Sequence, residues 1–372
     1  MSGTKASQLL LGTTIVLTCL SLAHLRHAAG VNASVSARPA AIDSSPLNSG
    51  PIQVDRLDPS IDRIVPALAT LDRVATGFKW VEGPVWVTDS LFFAEIPSNS
   101  IRKWMPGQGV SIFLQPSGYK GSAPYRGPEP GSNGMTLDAR DRLTVAGHAQ
   151  RDVYRFESLD PKAQITILAD SYQGKQLNSP NDVVYKSDGS LYFTDPPYGF
   201  RTQSDTDPEK QLKVNGVYRI PHALEQKPGA PPARRELQLL ITDLTRPNGI
   251  AFSPDEKYLY VADTGSTHKE HGPQHIRRFA IDASGIKLSG GEIFAKSTAG
   301  LFDGFRVDRN GRIWTSSAEG VHCYDSDGTL IGKIKVPEVV ANVCFGGPKR
   351  NRLYICGTTS LYAIHLNARG AT

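Results

Sequence analysis

Asn248-Gly-Ile-Ala-Phe-Ser-Pro-Asp-Glu-Lys-Tyr-Leu-Tyr-Val-Ala-Asp263 decides the fold of this chain. An Asn opens it, an apolar alternation follows, a Pro-Asp turn reverses the chain, and a second alternation ends on an acidic residue. Alternation at period two marks a half-buried strand, and the turn between two such runs marks an antiparallel hairpin. The same phrase recurs along the chain. Asn133-Gly-Met-Thr-Leu-Asp leads to Arg142-Leu-Thr-Val-Ala-Gly147. Asn181-Asp-Val-Val-Tyr leads through Ser187-Asp-Gly to Leu191-Tyr-Phe-Thr-Asp195. Asp303-Gly-Phe-Arg-Val leads through Arg309-Asn-Gly to Ile313-Trp-Thr-Ser-Ser317. Asn342-Val-Cys-Phe ends at Leu353-Tyr-Ile-Cys-Gly357, and an earlier copy runs from Glu82-Gly-Pro-Val-Trp86 to Leu91-Phe-Phe-Ala-Glu95.

Six copies at a mean spacing of about 50 residues predict an all-β chain folded as a six-bladed β-propeller, with four-stranded blades around a central channel. Helical periods between the strands are missing, which excludes a βαβ arrangement. The outer strands follow in weaker patterns, such as Gly216-Val-Tyr-Arg-Ile and His275-Ile-Arg-Arg-Phe-Ala. The segment from about 52 to 79 is expected to pack on a blade or to close the ring.

The remaining composition fits one such domain. Of 372 residues, 35 are Gly and 26 are Pro, which suits many tight turns. The 41 basic and 36 acidic side chains nearly cancel, so there is no case for a nucleic-acid partner. Lys5 followed by an apolar run over residues 9–22 and small residues at Ala28, Ala29 and Ala33 predicts a signal peptide over residues 1–29, with a retained anchor as the alternative. Export to a periplasm or beyond is expected, with no stable membrane association once the signal is removed. Residues 30–56, rich in Ala, Ser, Pro and Asn, read as a disordered linker, and 57–372 as the propeller. Three cysteines remain, Cys323, Cys344 and Cys356. Cys344 and Cys356 flank a hairpin turn and could pair; the alternative is three buried strand cysteines.

If each phrase opens an innermost strand, its first residue lies at one end of the channel, and the loop after the second strand returns to that end. Glu82, Asn181, Asn248 and Asp303 then converge there. Two carboxylates with two amide carbonyls match the oxygen preference of Ca2+, with Zn2+, Mn2+ or Mg2+ as substitutes. No CxxC or HExxH spacing marks a zinc site, and no GxSxG marks a serine hydrolase. For one Asn-Gly alone, a plain turn is the better reading, and Asn133 and Asn342 could be only that.

Glu82-Gly-Pro-Val-Trp86, Ser179-Pro-Asn-Asp182, Phe193-Thr-Asp-Pro-Pro-Tyr-Gly199, Arg246-Pro-Asn-Gly-Ile-Ala-Phe252 and Asp303-Gly-Phe-Arg-Val-Asp308 together resemble the gluconolactonases. Senescence marker protein, luciferin-regenerating enzyme and diisopropylfluorophosphatase are relatives of that family. The resemblance runs from about residue 57 to the C-terminus and implies a metal-dependent lactonase acting on a small-molecule lactone. It implies Glu82, Asn248 and Asp303 as metal ligands, Asn181 as a further ligand or substrate contact, and Asp303 as the catalytic group. Ser179 and Val81 depart from the pattern, standing where vertebrate members have Arg and many relatives have Thr. Asn133, His148, Asn181, Asp195 and Tyr198 are the expected substrate contacts, with His148 also an alternative base. His268, His271 and His275 read as a solvated loop rather than a second metal site, and Asp325-Ser-Asp-Gly328 as a turn. Two other readings stay open: a calcium hydrolase of phosphotriesters or aryl esters, and a non-catalytic propeller that binds sugar or protein.

Overall fold

The computed structural model describes residues 47–371 apart from residue 235. The predicted signal peptide lies outside these residues. Among the described residues no helix is long and apolar enough to cross a membrane.

Six antiparallel blades stand in a ring, a six-bladed β-propeller. Blade one consists of Val81–Val87, Ser90–Glu95, Ser100–Met105 and Gly109–Leu114. The inner strands of the next five blades are Met135–Leu137, Val183–Tyr185, Pro247–Phe252, Phe305–Val307 and Val340–Gly346. Each inner strand touches the inner strand of the following blade, and the sixth touches the first. Every repeated phrase of the sequence supplies one inner hairpin.

Both faces of each blade are buried against a neighbour, which is why the second strands read as nearly continuous apolar runs. In Leu91-Phe-Phe-Ala94, Leu91 and Phe93 pack toward blade six, while Phe92 and Ala94 pack toward blade two. Leu191 and Phe193 likewise face blade two, and Tyr192 faces blade four. The apolar core is therefore divided into six clusters, one in each gap between blades. Removing a fully buried ring such as Phe93 should destabilise by about 3–5 kcal/mol. Turn chemistry repeats as well. Asp138 Oδ1 accepts from the amides of Arg140 and Arg142, and Asp308 Oδ1 accepts from those of Asn310 and Arg312.

The ring is closed by the N-terminal segment. Thr70–Thr76 forms the fourth strand of blade six, pairing with Ser360–His365 in a register that sets Leu361 opposite Ala75. Of the linker expected over residues 30–56, residues 30–46 lie outside the described residues, and residues 47–56 contain two short strands. Leu47–Pro51 adds an outer strand to blade six, and Val54–Arg56 adds one to blade five beside Leu330–Lys335. Edge strands are held by main-chain hydrogen bonds, so a Ser-, Gly- and Pro-rich composition does not prevent them. Val54 and Ile52 also pack on the cluster between blades five and six, and Asp55 pairs with Lys335 at 2.9 Å. All three described cysteines are buried and unpaired. Cys344 lies opposite Tyr354 and Cys356 opposite Asn342, so the two sulfurs are not cross-strand partners.

Candidate functional site

Glycine lets the inner strands meet closely where they start. Gly83 has φ of +54°, and a Cβ there would lie 2.2 Å from the carbonyl oxygen of Asn133. A Cβ on Gly249 would lie 2.4 Å from the carbonyl oxygen of Asp303. The glycine after one opening residue thus admits the opening residue of the next blade. As a result Glu82, Asn133, Asn181, Asn248 and Asp303 line one cavity of about 270 Å³ at a single end of the channel. That size suits a small molecule.

The electrostatics of this cavity are set by two buried carboxylates. Glu82 Oε2 accepts from the Gly83 amide and from Asn342 Nδ2, the latter at 2.8 Å. Glu82 Oε1 is buried with no hydrogen-bond partner. Burial pushes the Glu82 carboxyl up to about 7, against the pull of those two donors. Asp303 keeps some surface on the cavity, yet the protein around it desolvates the carboxyl and raises its pKa well above the usual range. The charges of Glu82 and Glu129 raise it further, and the Asn248 amide opposes them. Asp182 stands where four other openings carry Gly, and Arg306 offsets its charge at 3.2 Å.

Among the described residues no three His, Cys, Asp or Glu side chains form a metal cluster. At the strand openings the donors are two carboxylates and the amides of three asparagines, an all-oxygen set with one carboxylate oxygen left orphaned in the interior. A hard divalent cation would satisfy that oxygen and relieve the repulsion between Glu82 and Asp303, so the residues fit such an ion.

Residues 80–359 match the SMP-30/Gluconolactonase/LRE-like region. The chain belongs to this family. The gluconolactonase of Zymomonas mobilis is 33% identical over 333 residues, spanning 86% of this chain and 87% of that protein. Pentonolactonase from Haloferax volcanii is 39% identical over 114 residues, 29% of this chain and 37% of its own length. The solved gluconolactonase from Xanthomonas campestris superposes with a TM-score of 0.70 at 31% identity, covering 89% of this chain and 99% of that one.

Within this family member, other expected contacts take different places. Tyr198 lines the cavity, but its hydroxyl is committed to Thr264 Oγ1 at 2.7 Å and Thr267 Oγ1 at 2.9 Å. Asp195 does not reach the cavity. It is buried behind it, with Oδ2 accepting from the Asn178 amide at 2.8 Å, and burial pushes its carboxyl up to about 7. A strand end that returns toward the site can still point its last side chain into the blade, as this one does. Ser179, beside Asn178, donates to the Pro196 carbonyl and accepts from the Gly199 amide at 2.8 Å, fixing the loop that carries Tyr198.

His148 also stays off the cavity wall. It is fully buried, with Nε2 2.7 Å from Glu129 Oε2 and Nδ1 3.2 Å from the Pro180 carbonyl oxygen. Glu129 is the group that lines the cavity. It sits in Pro128-Glu129-Pro130, within a loop that carries no repeat phrase and so escaped pattern reading. The available signal was a charge held between two prolines just ahead of the Asn133 opening, on the same face. Of the three loop histidines, His268 lines the cavity, His271 is almost wholly exposed and His275 begins a strand. They do not gather as a metal site among the described residues. Asp325 to Gly328 is a turn, closed by the Gly328 amide on the Asp325 carbonyl at 2.9 Å.

Proposed function

We propose that this chain hydrolyses small lactones of the sugar-acid type, with Glu82, Asn181, Asn248 and Asp303 holding a divalent cation, Ca2+ by donor chemistry. One observation carries the reading: the unpartnered, buried Oε1 of Glu82 shares a cavity with a second desolvated carboxylate, Asp303. Similarity to gluconolactonases over most of the chain supports lactones as the substrate class.

When bound, the cation supplies Lewis acidity toward the carbonyl oxygen of the ester. The protein's part is to bind, orient and move a proton. The cavity admits one small ring, and the apolar walls of Trp80, Ile96 and Leu301 limit competing water. Asp303, at the strand opening of blade five, faces the same space and orients the attacking water while accepting its proton. Asn248, on the neighbouring strand opening, favours the ionised form of the Asp303 carboxyl. Tyr198, anchored by two threonines, forms a rigid wall.

The test is ring opening of glucono-δ-lactone before and after chelation, with readdition of Ca2+, and with a paraoxon-type ester in parallel. Ring opening that vanishes on chelation and returns with Ca2+ is expected. A metal-loaded protein that opens no lactone, or that prefers the phosphotriester, overturns the proposal.

A further inference from the structure

Glu129 reaches the cavity from the loop between blades one and two, outside the ring of inner-strand openings. Its two oxygens are held separately. His148 Nε2 lies 2.7 Å from Oε2, and Gln203 Nε2 donates to Oε1 at 2.8 Å. Behind it, the ring of His148 has no solvent exposure, and its Nδ1 faces the Pro180 carbonyl. A carbonyl oxygen only accepts, so Nδ1 carries a hydrogen, and a single proton bridges Nε2 and Oε2. Side chains from the loops of blades two and three therefore fix the direction of one carboxylate.

Both nitrogens of the buried His148 are partnered, which offsets the cost of burying it, and a packed, hydrogen-bonded support of this kind holds the Glu129 carboxylate in one direction at the cavity. Each carboxylate oxygen accepts up to two hydrogen bonds, so each keeps one acceptor position for the cavity. Trp80, Ile96 and Leu301 give the cavity apolar wall and the Tyr198 hydroxyl is already bonded twice, while His268, which feels the Glu129 charge, also lines the cavity. Paired carboxylate oxygens complement adjacent hydroxyl groups on a ring. We propose that Glu129 accepts hydrogen bonds from the ring hydroxyls of the substrate, and so selects polyhydroxylated lactones over unsubstituted ones. His148 and Gln203 are its positioning residues. This inference rests on the lactonase reading for its substrate, but not for its test.

Glu129→Gln keeps the side-chain volume and replaces an acceptor with a donating amide. On glucono-δ-lactone its kcat/KM should fall about 10- to 100-fold, mainly through KM, the range of one or two charge-assisted hydrogen bonds. On δ-valerolactone, the same ring without hydroxyls, only the part that acts through the Glu129 charge on Asp303 remains, so the loss should be at least about tenfold smaller than on glucono-δ-lactone. Gln203→Ala, a change in a surface loop, should shift the same ratio in the same direction by a smaller factor. Equal losses on both lactones, or loss on neither, overturn the role of Glu129 while leaving lactone hydrolysis standing. Calorimetric binding of glucono-δ-lactam, which the enzyme cannot open, separates the two ideas. If the wild type opens no lactone, the lactonase reading falls; equal lactam affinity in wild type and Glu129→Gln then removes the Glu129 proposal as well, and weaker binding by the variant upholds it.

Discussion

Asn342 Nδ2 donates a 2.8 Å hydrogen bond to Glu82 Oε2, joining the inner strand of the last blade to that of the first across 260 residues of sequence. The bond ties one carboxylate oxygen to the protein and leaves the other, Oε1, without a protein partner. It also spans the seam where the ring closes, so it couples the integrity of the propeller to the shape of the site. Asn342→Ala should lower Ca2+ affinity by about 10- to 100-fold, as the loss of an outer partner of a metal ligand commonly does. Calorimetric titration of the variant checks this, and an unchanged affinity would remove Asn342 from the site.

Asp303→Asn preserves size, yet removes the only carboxylate among the inner-strand openings besides Glu82. Turnover should fall by about 1,000-fold or more, since a proton acceptor in the reaction is worth on the order of 10²–10⁴ and a cation ligand is lost with it. The metal-free variant should be no less stable than wild type, because a desolvated carboxylate beside Glu82 is gone. Ring opening followed in a pH-stat, together with a thermal melt, decides it. A kcat within tenfold of wild type would clear Asp303 of the chemistry.

Metal removal should have a pH signature. The Glu82 carboxyl is raised from 4.5 to about 7 in the folded chain. Below 4.5 it is protonated in both folded and unfolded states. Between 4.5 and 7 the unfolded chain ionises first, so metal-free stability falls as pH rises. A cation binds the ionised form, so its affinity should rise over the same interval. At 100 times its dissociation constant it should restore about 2.7 kcal/mol, several degrees of melting temperature. Melts with and without Ca2+ at pH 5 and pH 7.5 should therefore diverge. Identical shifts at both pH values contradict the assignment of Glu82 as a ligand.

How far the residues themselves foretold this arrangement depends on whether a feature belongs to the repeat. Six phrase openings share one pattern, and Glu82, Asn133, Asn181, Asn248 and Asp303 line one cavity because they occupy equivalent strand starts. Asn342 was indistinguishable from a turn asparagine, since its partner lies at the far end of the chain. Glu129 leaves no such trace because the loops on the cavity's face differ from blade to blade and carry no period. For Asp195 and His148, position near the same end of the channel does not say which way a side chain points, and both are turned into the protein. The edge strands Leu47–Pro51 and Val54–Arg56 left little trace in composition because backbone bonding, not side-chain pattern, holds them.

Asp152 offers a test of the fold's electrostatics away from the site. It precedes the third strand of blade two, Val153–Phe156, and its Oδ1 is buried with no partner. Burial raises its carboxyl from 3.8 to about 7; Lys120 pulls it down, and Asp170 pushes it further up. Below pH 3.8 both folded and unfolded chains hold the proton, so the group contributes no pH dependence there. From 3.8 to about 7 the unfolded chain releases its proton and the folded chain retains it, so folding loses on the order of 4 kcal/mol across that interval. Above it the folded chain carries a buried charge whose Oδ1 has no partner. Asp152→Asn keeps the shape and never ionises, so the interval should vanish. The variant should match wild type in urea melts at pH 4 and exceed it by up to about 4 kcal/mol at pH 8, a large part of the 5–15 kcal/mol by which a domain is stable. Parallel pH profiles for the two proteins would mean that Asp152 finds a compensating partner, such as an internal water, in solution.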